Sequence, residues 1–157
     1  MPVIEVETSI NASAEICFDL SRSIDLHLDS TADTGERAVS GVTSGLIGMN
    51  EEVTFRAHHI WWQELTSKII SFDRPTHFCD QMQQGFFQHF KHDHYFKESN
   101  GITKMTDEIN FRSPFGPFGL LIDNLILKSY LTRFLKKRNE LIKDIAESET
   151  KRSKYLI

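Results

Sequence analysis

The sequence predicts an α+β protein in which a curved antiparallel sheet of about six to seven strands wraps around one long C-terminal helix. Short segments with alternating apolar and polar residues recur over residues 3–112, a pattern typical of half-buried strands. Asn100-Gly101 separates two such segments and suits a tight hairpin turn. Beyond Pro117 the apolar residues recur at helical spacing instead.

Length and composition bound the possible classes of protein. The 157 residues suit a single domain, 1–157, with its own core. A content of 39% hydrophobic and 25% charged residues is that of an ordinary globular chain and not of a disordered one. The net charge of −4 argues against nucleic acid as a partner, because phosphate binding needs a concentrated basic surface.

The sequence predicts neither a signal peptide nor an integral membrane segment. Residues 1–5 have no basic region ahead of an apolar run. The longest apolar stretch, residues 119–127, contains Asp123 and Asn124 and is too short to span a bilayer. Cys17 and Cys79 form neither a disulfide framework nor a zinc motif, so we expect two free, buried thiols in a cytoplasmic protein.

The N-terminal quarter predicts one strand followed by two short helices. Val3 to Ile10 alternates as a half-buried strand. Asn11 is the expected N-cap of the first helix, and residues 23–30 form the second. An irregular strand is expected near residues 37–42.

The middle of the chain predicts consecutive antiparallel strands. Alternation and turn residues place them at residues 51–60, 62–72, 76–84 and 87–97. Asp73-Arg74-Pro75 ends the second of these, because proline cannot continue a ladder of backbone hydrogen bonds.

The C-terminal region predicts one helix from Phe118 to about Glu147. Pro117 suits its first turn, where a missing N–H costs nothing. At 1.5 Å per residue such a helix is roughly 45 Å long, so it must lie across the whole sheet to bury its apolar side. Residues from about 148 to 157 lose the periodicity, and we expect a frayed tail.

The hairpin around Asn100-Gly101 places chemically interesting residues on one face. A two-residue turn sets the cross-strand pairs, and alternation puts them on the same side of the sheet. The pairs are Ser99–Ile102, Phe96–Met105, His94–Asp107, His92–Ile109 and Phe90–Phe111. Two histidines and a carboxylate therefore lie on a mostly apolar face, either as structural hydrogen bonds or as the chemical centre of a cavity.

A curved sheet around a long helix tends to leave an internal cavity, which suits an apolar ligand. We expect aromatic, thioether and imidazole side chains from the strands to line it, together with three residues of the helix. The set is Phe55, Trp61, Met82, Phe90, His92, His94, Met105, Asp107, Leu121, Leu125 and Tyr130.

The polar members of this set allow two interpretations. His94 can act as a general acid/base oriented by Asp107, or the two can form a buried structural bond. His92 and His94, with His58, His59 or His89, have the ligand type for a metal, but no tight motif spacing. We expect no metal site and no cofactor.

Arg138 lies beside the apolar side of the predicted helix. It can contact the carboxylate of a ligand, pair with Asp107 or Glu64, or extend into solvent with the neighbouring basic residues.

The chain resembles a known superfamily. The stretches are GLIGMNEEVTFRAHHIWWQELTSKI, FCDQMQQGFFQHFKHDHYF, TKMTDEINFRSPFGPFGLLID and YLTRFLKKRNELIKDIAES, which cover most of the chain from Gly45 onward. Together with the element order, they resemble the helix-grip fold of the SRPBCC or START-like superfamily, and within it a bacterial branch labelled polyketide cyclase/dehydrase-like. The resemblance implies binding of a hydrophobic or aromatic small molecule between sheet and helix. Some members catalyse cyclisation or dehydration there.

Three hypotheses about function follow. The first is a binding protein for a lipid-, isoprenoid- or polyketide-like molecule. The second is a cyclase or dehydratase that uses His94 and Asp107. The third is a protein-interaction module that presents the basic side of the long helix. The sequence leaves the ligand and the oligomeric state undetermined.

Overall fold

The computed structural model describes residues 1–58 and 62–156. Seven antiparallel strands form one sheet in the order β1-β7-β6-β5-β4-β3-β2. The strands are β1 (Val3–Ile10), β2 (Arg37–Gly41), β3 (Glu52–His58), β4 (Trp62–Asp73), β5 (His77–Gln84), β6 (His89–Ser99) and β7 (Ile102–Arg112). This is the predicted α+β helix-grip architecture. The end of the strand predicted over residues 51–60 lies outside the described residues.

Two short helices follow β1, as predicted: α1 (Ala14–Ser21) and α2 (Ile24–Ser30). Ser13 caps α1 by accepting a 3.3 Å hydrogen bond from the backbone N–H of Ile16. The prediction of Asn11 as N-cap was therefore wrong. The backbone N–H of Asn11 instead donates to Glu147 at 2.9 Å, which connects this segment to the end of the long helix.

The long C-terminal helix, α3, covers residues 116–146 but is not one regular helix. Its segments are a 3-10 turn (Gly116–Phe118), an α-helical turn (Gly119–Ile122), a π-helical turn (Asp123–Leu127) and a regular α-helix (Lys128–Ala146). A π turn adds one residue, which rotates the side chains on its two sides relative to each other by about 100°. The faces of α3 therefore do not follow one uniform periodicity.

The tail is more ordered than the predicted frayed end. Ser148 caps a short helix, α4 (Glu149–Arg152). The Tyr155 hydroxyl then donates to the Asp29 carboxylate near the C-terminal end of α2. No helix among the described residues is both long and apolar enough to cross a bilayer.

The core lies between the concave face of the sheet and the helices. Phe18 of α1 packs against Phe72, Phe78 and Phe96 with ring centroids 5.1–5.4 Å apart. A second cluster under α3 comprises Ile4, Val6, Ile109, Phe111 and Leu135. The polar site described next lies on the same face of the sheet.

Candidate functional site

The β6–β7 hairpin positions the central residues of the site. Asn100 and Gly101 have φ values of 55° and 78°, which the tight turn requires of both residues. All five predicted cross-strand pairs are present, including His94 opposite Asp107. The turn therefore sets the register that brings both histidines and the carboxylate to the concave face.

Strand β5 adds a second carboxylate that the sequence reasoning missed. Its pairing with β6 places Asp80 opposite His92 and Phe78 opposite His94. The alternation of Phe78 and Asp80 along β5 was a visible signal that they share a face. No tight turn connects β5 to β6, however, so their register could not be counted along the chain.

The four side chains form a continuous row across three strands. His92 Nε2 lies 2.9 Å from Asp107 Oδ1, and His94 Nε2 lies 2.9 Å from Asp80 Oδ2. His94 Nδ1 also lies 3.0 Å from Asp107 Oδ1, at the distance of an ion pair but without the geometry of a hydrogen bond. Asp107 therefore contacts both imidazoles, whereas the sequence predicted only one.

Aromatic and hydroxyl contacts hold these groups in place. Phe78 stacks on His94 with centroids 4.1 Å apart and an interplanar angle of 14°. The rings of His92 and His94 are 3.7 Å apart. Ser67 on β4 donates a 2.9 Å hydrogen bond to Asp80 Oδ1, which leaves Oδ2 for the histidines. Each ring and carboxylate is thus fixed by a neighbour on the same face.

Helix α3 completes the site from the other side. Asn139 Nδ2 donates to Asp107 Oδ2 at 2.7 Å. Arg138 Nη2 donates to the Ser21 carbonyl at 2.9 Å, and its Nη1 lies 3.5 Å from Asp107 Oδ1. Arg138 is only 6% exposed, so the interpretation of a solvated arginine was wrong. Arg138 instead pairs with Asp107, which is one of the two acidic partners expected for it.

Burial and charge act in opposite directions on the carboxylates. Burial alone would raise the pKa of Asp107, but its hydrogen bond with His92 and its close contact with His94 outweigh burial and hold that pKa well below its usual range. The same opposition at Asp80 lowers its pKa to about 2, since the hydrogen bond from His94 and the charges of both histidines exceed the effect of burial. Both carboxylates are therefore ionised at neutral pH.

The two imidazoles differ in their preference for a proton. Burial would lower the pKa of His94, but its contacts with Asp107 and Asp80 outweigh burial and raise it. For His92, burial and then repulsion by His94 dominate, and its pKa is lowered. The contacts with the two carboxylates therefore favour the protonated form more at His94 than at His92.

A cavity of about 780 Å³ lies between the sheet and α3, and Asp80, His92 and His94 of the polar row form part of its wall. Five residues of the predicted set line it, namely Phe55, Phe90, His92, His94 and Tyr130, and so does Arg138, the predicted polar contact. Further apolar lining that was not predicted comes from Val53, Leu65, Leu127, Leu131 and Phe134. Trp61 lies outside the described residues.

The remaining predicted residues do not line the cavity. Leu121, which precedes the π turn, and Leu125, which lies within it, are 60% and 67% exposed. Met82 packs against Gly85 instead. Met105 is fully buried beside Ser21, whose hydroxyl lies 3.4 Å from its sulfur. Asp107 is fully buried and contacts the cavity-lining residues His92, His94 and Arg138.

The two cysteines are not nucleophiles. Burial raises the pKa of Cys17 to about 11 and that of Cys79 to about 12, so neither is a thiolate near neutral pH.

The polar row also contains a cluster of groups that can bind a metal ion. One oxygen of Asp80 and one nitrogen from each of His92 and His94 lie within 4.8 Å of one another. Among the residues that the structure describes, these three have the donor atoms and spacing to hold a metal ion.

Comparison with known proteins identifies the fold. No family model matches the sequence, and no curated protein matches it either. Solved structures do match: protein TTHA0849 of Thermus thermophilus has a TM-score of 0.69 at 14% identity, covering 90% of this chain and 97% of that one. Major latex-like protein 151 of Panax ginseng has a TM-score of 0.68 at 13% identity, covering 94% and 98%.

A START superfamily protein of Mycobacterium smegmatis is also similar, with a TM-score of 0.65 at 10% identity and coverage of 92% and 97%. At these identities the likeness shows the fold alone. The chain therefore has the SRPBCC/START-like fold that its sequence resembles.

Proposed function

We propose that this protein binds a small, mostly apolar molecule in the cavity between the sheet and α3. The observation that carries this proposal is the cavity itself, whose volume of about 780 Å³ lies within the range of ligand pockets. Its wall is mostly aliphatic and aromatic, from residues such as Phe55, Leu131 and Phe134. Apolar lining of this kind favours a hydrophobic ligand because burial removes apolar surface from water.

The polar residues in the wall favour a hydrophobic ligand that carries one polar end. His92, Asp80 and Arg138 all reach the cavity within an otherwise apolar lining. A few convergent polar groups in such a pocket fix the orientation of a ligand. A molecule with one oxygen-bearing end and a hydrocarbon or aromatic body fits this arrangement, which describes fatty acids, isoprenoids and aromatic polyketides.

A fluorescent-probe displacement assay tests this proposal. The probe is 1-anilinonaphthalene-8-sulfonate, and the competitors are fatty acids, isoprenoid alcohols and aromatic polyketides. Ala57 lines the cavity and is buried, so Ala57→Phe fills space without removing a polar contact. Ile70 on β4 is 37% exposed and does not line the cavity, so Ile70→Phe is the matched control.

We expect one chemical class to displace the probe, at least a tenfold loss of affinity in Ala57→Phe, and an unchanged affinity in Ile70→Phe. A tenfold loss corresponds to about 1.4 kcal/mol. Equal affinities in both variants would place the ligand elsewhere and overturn the proposal. No displacement by any class would also count against it and favour a protein-interaction role.

A cyclase or dehydratase is the second candidate, and the position of His94 favours it. This imidazole lines the cavity and lies within 3.0 Å of two carboxylates, Asp80 and Asp107. A histidine held between carboxylates can transfer a proton to or from a bound substrate. The structure adds His92 as a second candidate acid/base, because its Nε2 contacts the same Asp107 oxygen.

His94→Gln separates binding from catalysis. If the protein is an enzyme of this type, the variant keeps its affinity for the ligand found above and loses turnover by about 10²-fold or more. His77→Gln is the control, since His77 pairs with Asp93 at 2.8 Å and does not line the cavity. Turnover that is equal in both variants would exclude His94 as the acid/base.

A further inference from the structure

We propose that Asp80, His92 and His94 form a binding site for a divalent transition-metal ion such as Zn²⁺. The donors are Asp80 Oδ2, His92 Nδ1 and His94 Nε2. The Asp80 oxygen lies 3.9 Å from His92 Nδ1 and 2.9 Å from His94 Nε2, and the three donors lie within 4.8 Å of one another. Zinc–nitrogen and zinc–oxygen bonds of about 2.0–2.1 Å in a tetrahedron place donors about 3.3 Å apart. The observed separations surround that value.

The second nitrogen of each histidine supports this assignment. A metal-bound histidine usually donates its other N–H to a carboxylate, which fixes the ring and its tautomer. Here the other nitrogen of His92 is Nε2, which is hydrogen-bonded to Asp107 Oδ1 at 2.9 Å, and the other nitrogen of His94 is Nδ1, which lies 3.0 Å from the same oxygen as an ion-pair contact. One buried carboxylate is therefore placed to orient both rings toward Asp80.

The third proposed ligand, Asp80, is also fixed by a hydrogen bond to its other oxygen. Ser67 donates to Asp80 Oδ1, so Oδ2 is the oxygen that faces the two rings. Asn139 holds the second oxygen of Asp107 at 2.7 Å in the same way. Each carboxylate is thus fixed through one oxygen, while its other oxygen faces the histidines. This favours metal affinity because the side chains lose little conformational freedom when the ion binds.

The charges of the cluster also favour a cation. Asp80 and Asp107 contribute two negative charges, and Arg138 contributes one positive charge 3.5 Å from Asp107. The two carboxylates therefore outnumber the single guanidinium, and the Asp80 carboxylate is itself one of the proposed donors. A divalent ion between Asp80 and the histidines would lie directly beside that negative charge.

The proposed ligands lie on the cavity wall, so an ion there is reachable by a small molecule. All three residues line the cavity, and the Asp80 side chain is 23% exposed. Three protein ligands leave at least one coordination position, as in catalytic zinc sites. We infer that this position faces the cavity and accepts an oxygen donor. Metal binding itself does not depend on the proposed apolar ligand.

This inference reverses the expectation from sequence that no metal is bound. That expectation considered only histidines, because His92 and His94 lack the spacing of a known motif. The carboxylate comes from the neighbouring strand, where Asp80 pairs with His92.

The experiment is a titration of the purified protein, after treatment with a chelator, with Zn²⁺ by calorimetry and with Co²⁺ by visible absorption. We expect one ion per chain and the intense d–d bands of low-coordinate Co²⁺. Asp80→Asn and His92→Gln keep the size of each side chain and should weaken binding about 10-fold or more. His77→Gln and Asp93→Asn remove the His–Asp pair outside the cavity and should bind as the wild type does.

Two results would overturn the site. One is the absence of one-to-one binding by the wild type. The other is equal affinity in Asp80→Asn and Asp93→Asn, which would place the ion elsewhere. A thermal melt of each variant without metal shows whether it is folded. His92→Gln and Asp80→Asn test the site independently, so the failure of one variant to fold leaves the other informative. Probe displacement from the cavity, measured without metal, separates failure of this site from failure of ligand binding.

Discussion

Asn139 on α3 donates a 2.7 Å hydrogen bond to Asp107 on β7, and both side chains are almost completely buried. With Arg138, which contacts the same carboxylate and the carbonyl of Ser21, it connects the long helix to the sheet and to α1. The polar row in the cavity wall is therefore also the contact that positions α3. The proposed site and the packing of α3 therefore depend on the same carboxylate.

The first prediction concerns that carboxylate. Asp107→Ala leaves the Arg138 guanidinium without a buried counter-charge and removes the partner of two imidazoles. We expect the free energy of unfolding to fall by about 3–5 kcal/mol, the usual cost of breaking a buried ion pair from one side. Urea denaturation measures it. Asp107→Asn keeps the shape and one acceptor and should lie between that variant and the wild type.

Glu7 provides the control, because it pairs with Lys104 at 3.0 Å and both side chains are 52% exposed. Glu7→Ala should cost less than about 1 kcal/mol, as exposed pairs do. A loss at Asp107→Ala no larger than at Glu7→Ala would show that the buried network does not hold α3.

The second prediction is the pH dependence of Asp19. This residue of α1 contacts Arg74 at 2.7 Å and Arg22 at 2.8 Å. Burial alone would raise the pKa of Asp19, but hydrogen bonds from Arg74 and Arg22 outweigh burial and lower it. Because the pKa is lower in the folded state, the stabilisation is complete above the ordinary pKa. It is lost as pH falls through the folded-state pKa.

Asp19→Asn should therefore be less stable than the wild type by about 1 kcal/mol at neutral pH, the upper range for a pair near the surface. The difference should shrink as the pH falls below the ordinary carboxyl range. Urea unfolding of both proteins from neutral to acid pH measures it. Asp144→Asn, which removes an exposed pair with Lys151, should show a smaller difference throughout. A gap at Asp19 that stays constant into acid would contradict the assignment.

Local signals in the sequence predicted more of the molecule than distant ones. The register of the β6–β7 hairpin follows from two residues, Asn100 and Gly101, because a tight turn leaves only one pairing that keeps the apolar face inward. The positions of His94 and Asp107 opposite each other followed directly. Only pairings that the turn itself fixes, those between β6 and β7, could be predicted in this way.

The rest of the site depends on pairings that no short segment encodes. Asp80 reaches the histidines through the register of β5 against β6, and Asn139 reaches Asp107 across 32 positions of sequence. Their partners are set by how the whole sheet curves around α3. The π turn at Asp123–Leu127 likewise replaces the local preference for a regular helix. Leu121 and Leu125, which were expected on the cavity wall, are exposed.

The third prediction tests those helix faces. Leu135 is 2% exposed and packs in the cluster with Ile109 and Phe111, whereas Leu121 is 60% exposed. Leu135→Ala should lower the free energy of unfolding by about 2–5 kcal/mol, because it removes buried methyl groups and leaves a void. Leu121→Ala should change it by less than about 0.5 kcal/mol, as for other exposed positions.

Both leucines lie in α3 and undergo the same chemical change, so each variant controls for the helix propensity of the other. Urea denaturation of the two proteins gives the comparison directly. If Leu121→Ala were as costly as Leu135→Ala, residue 121 would be packed against the sheet, as one uniform helix would require. The π turn would then not rotate the start of α3 away from the cavity. A large difference in the expected direction would instead support a helix in which residue 121 faces solvent and Leu135 packs against the sheet.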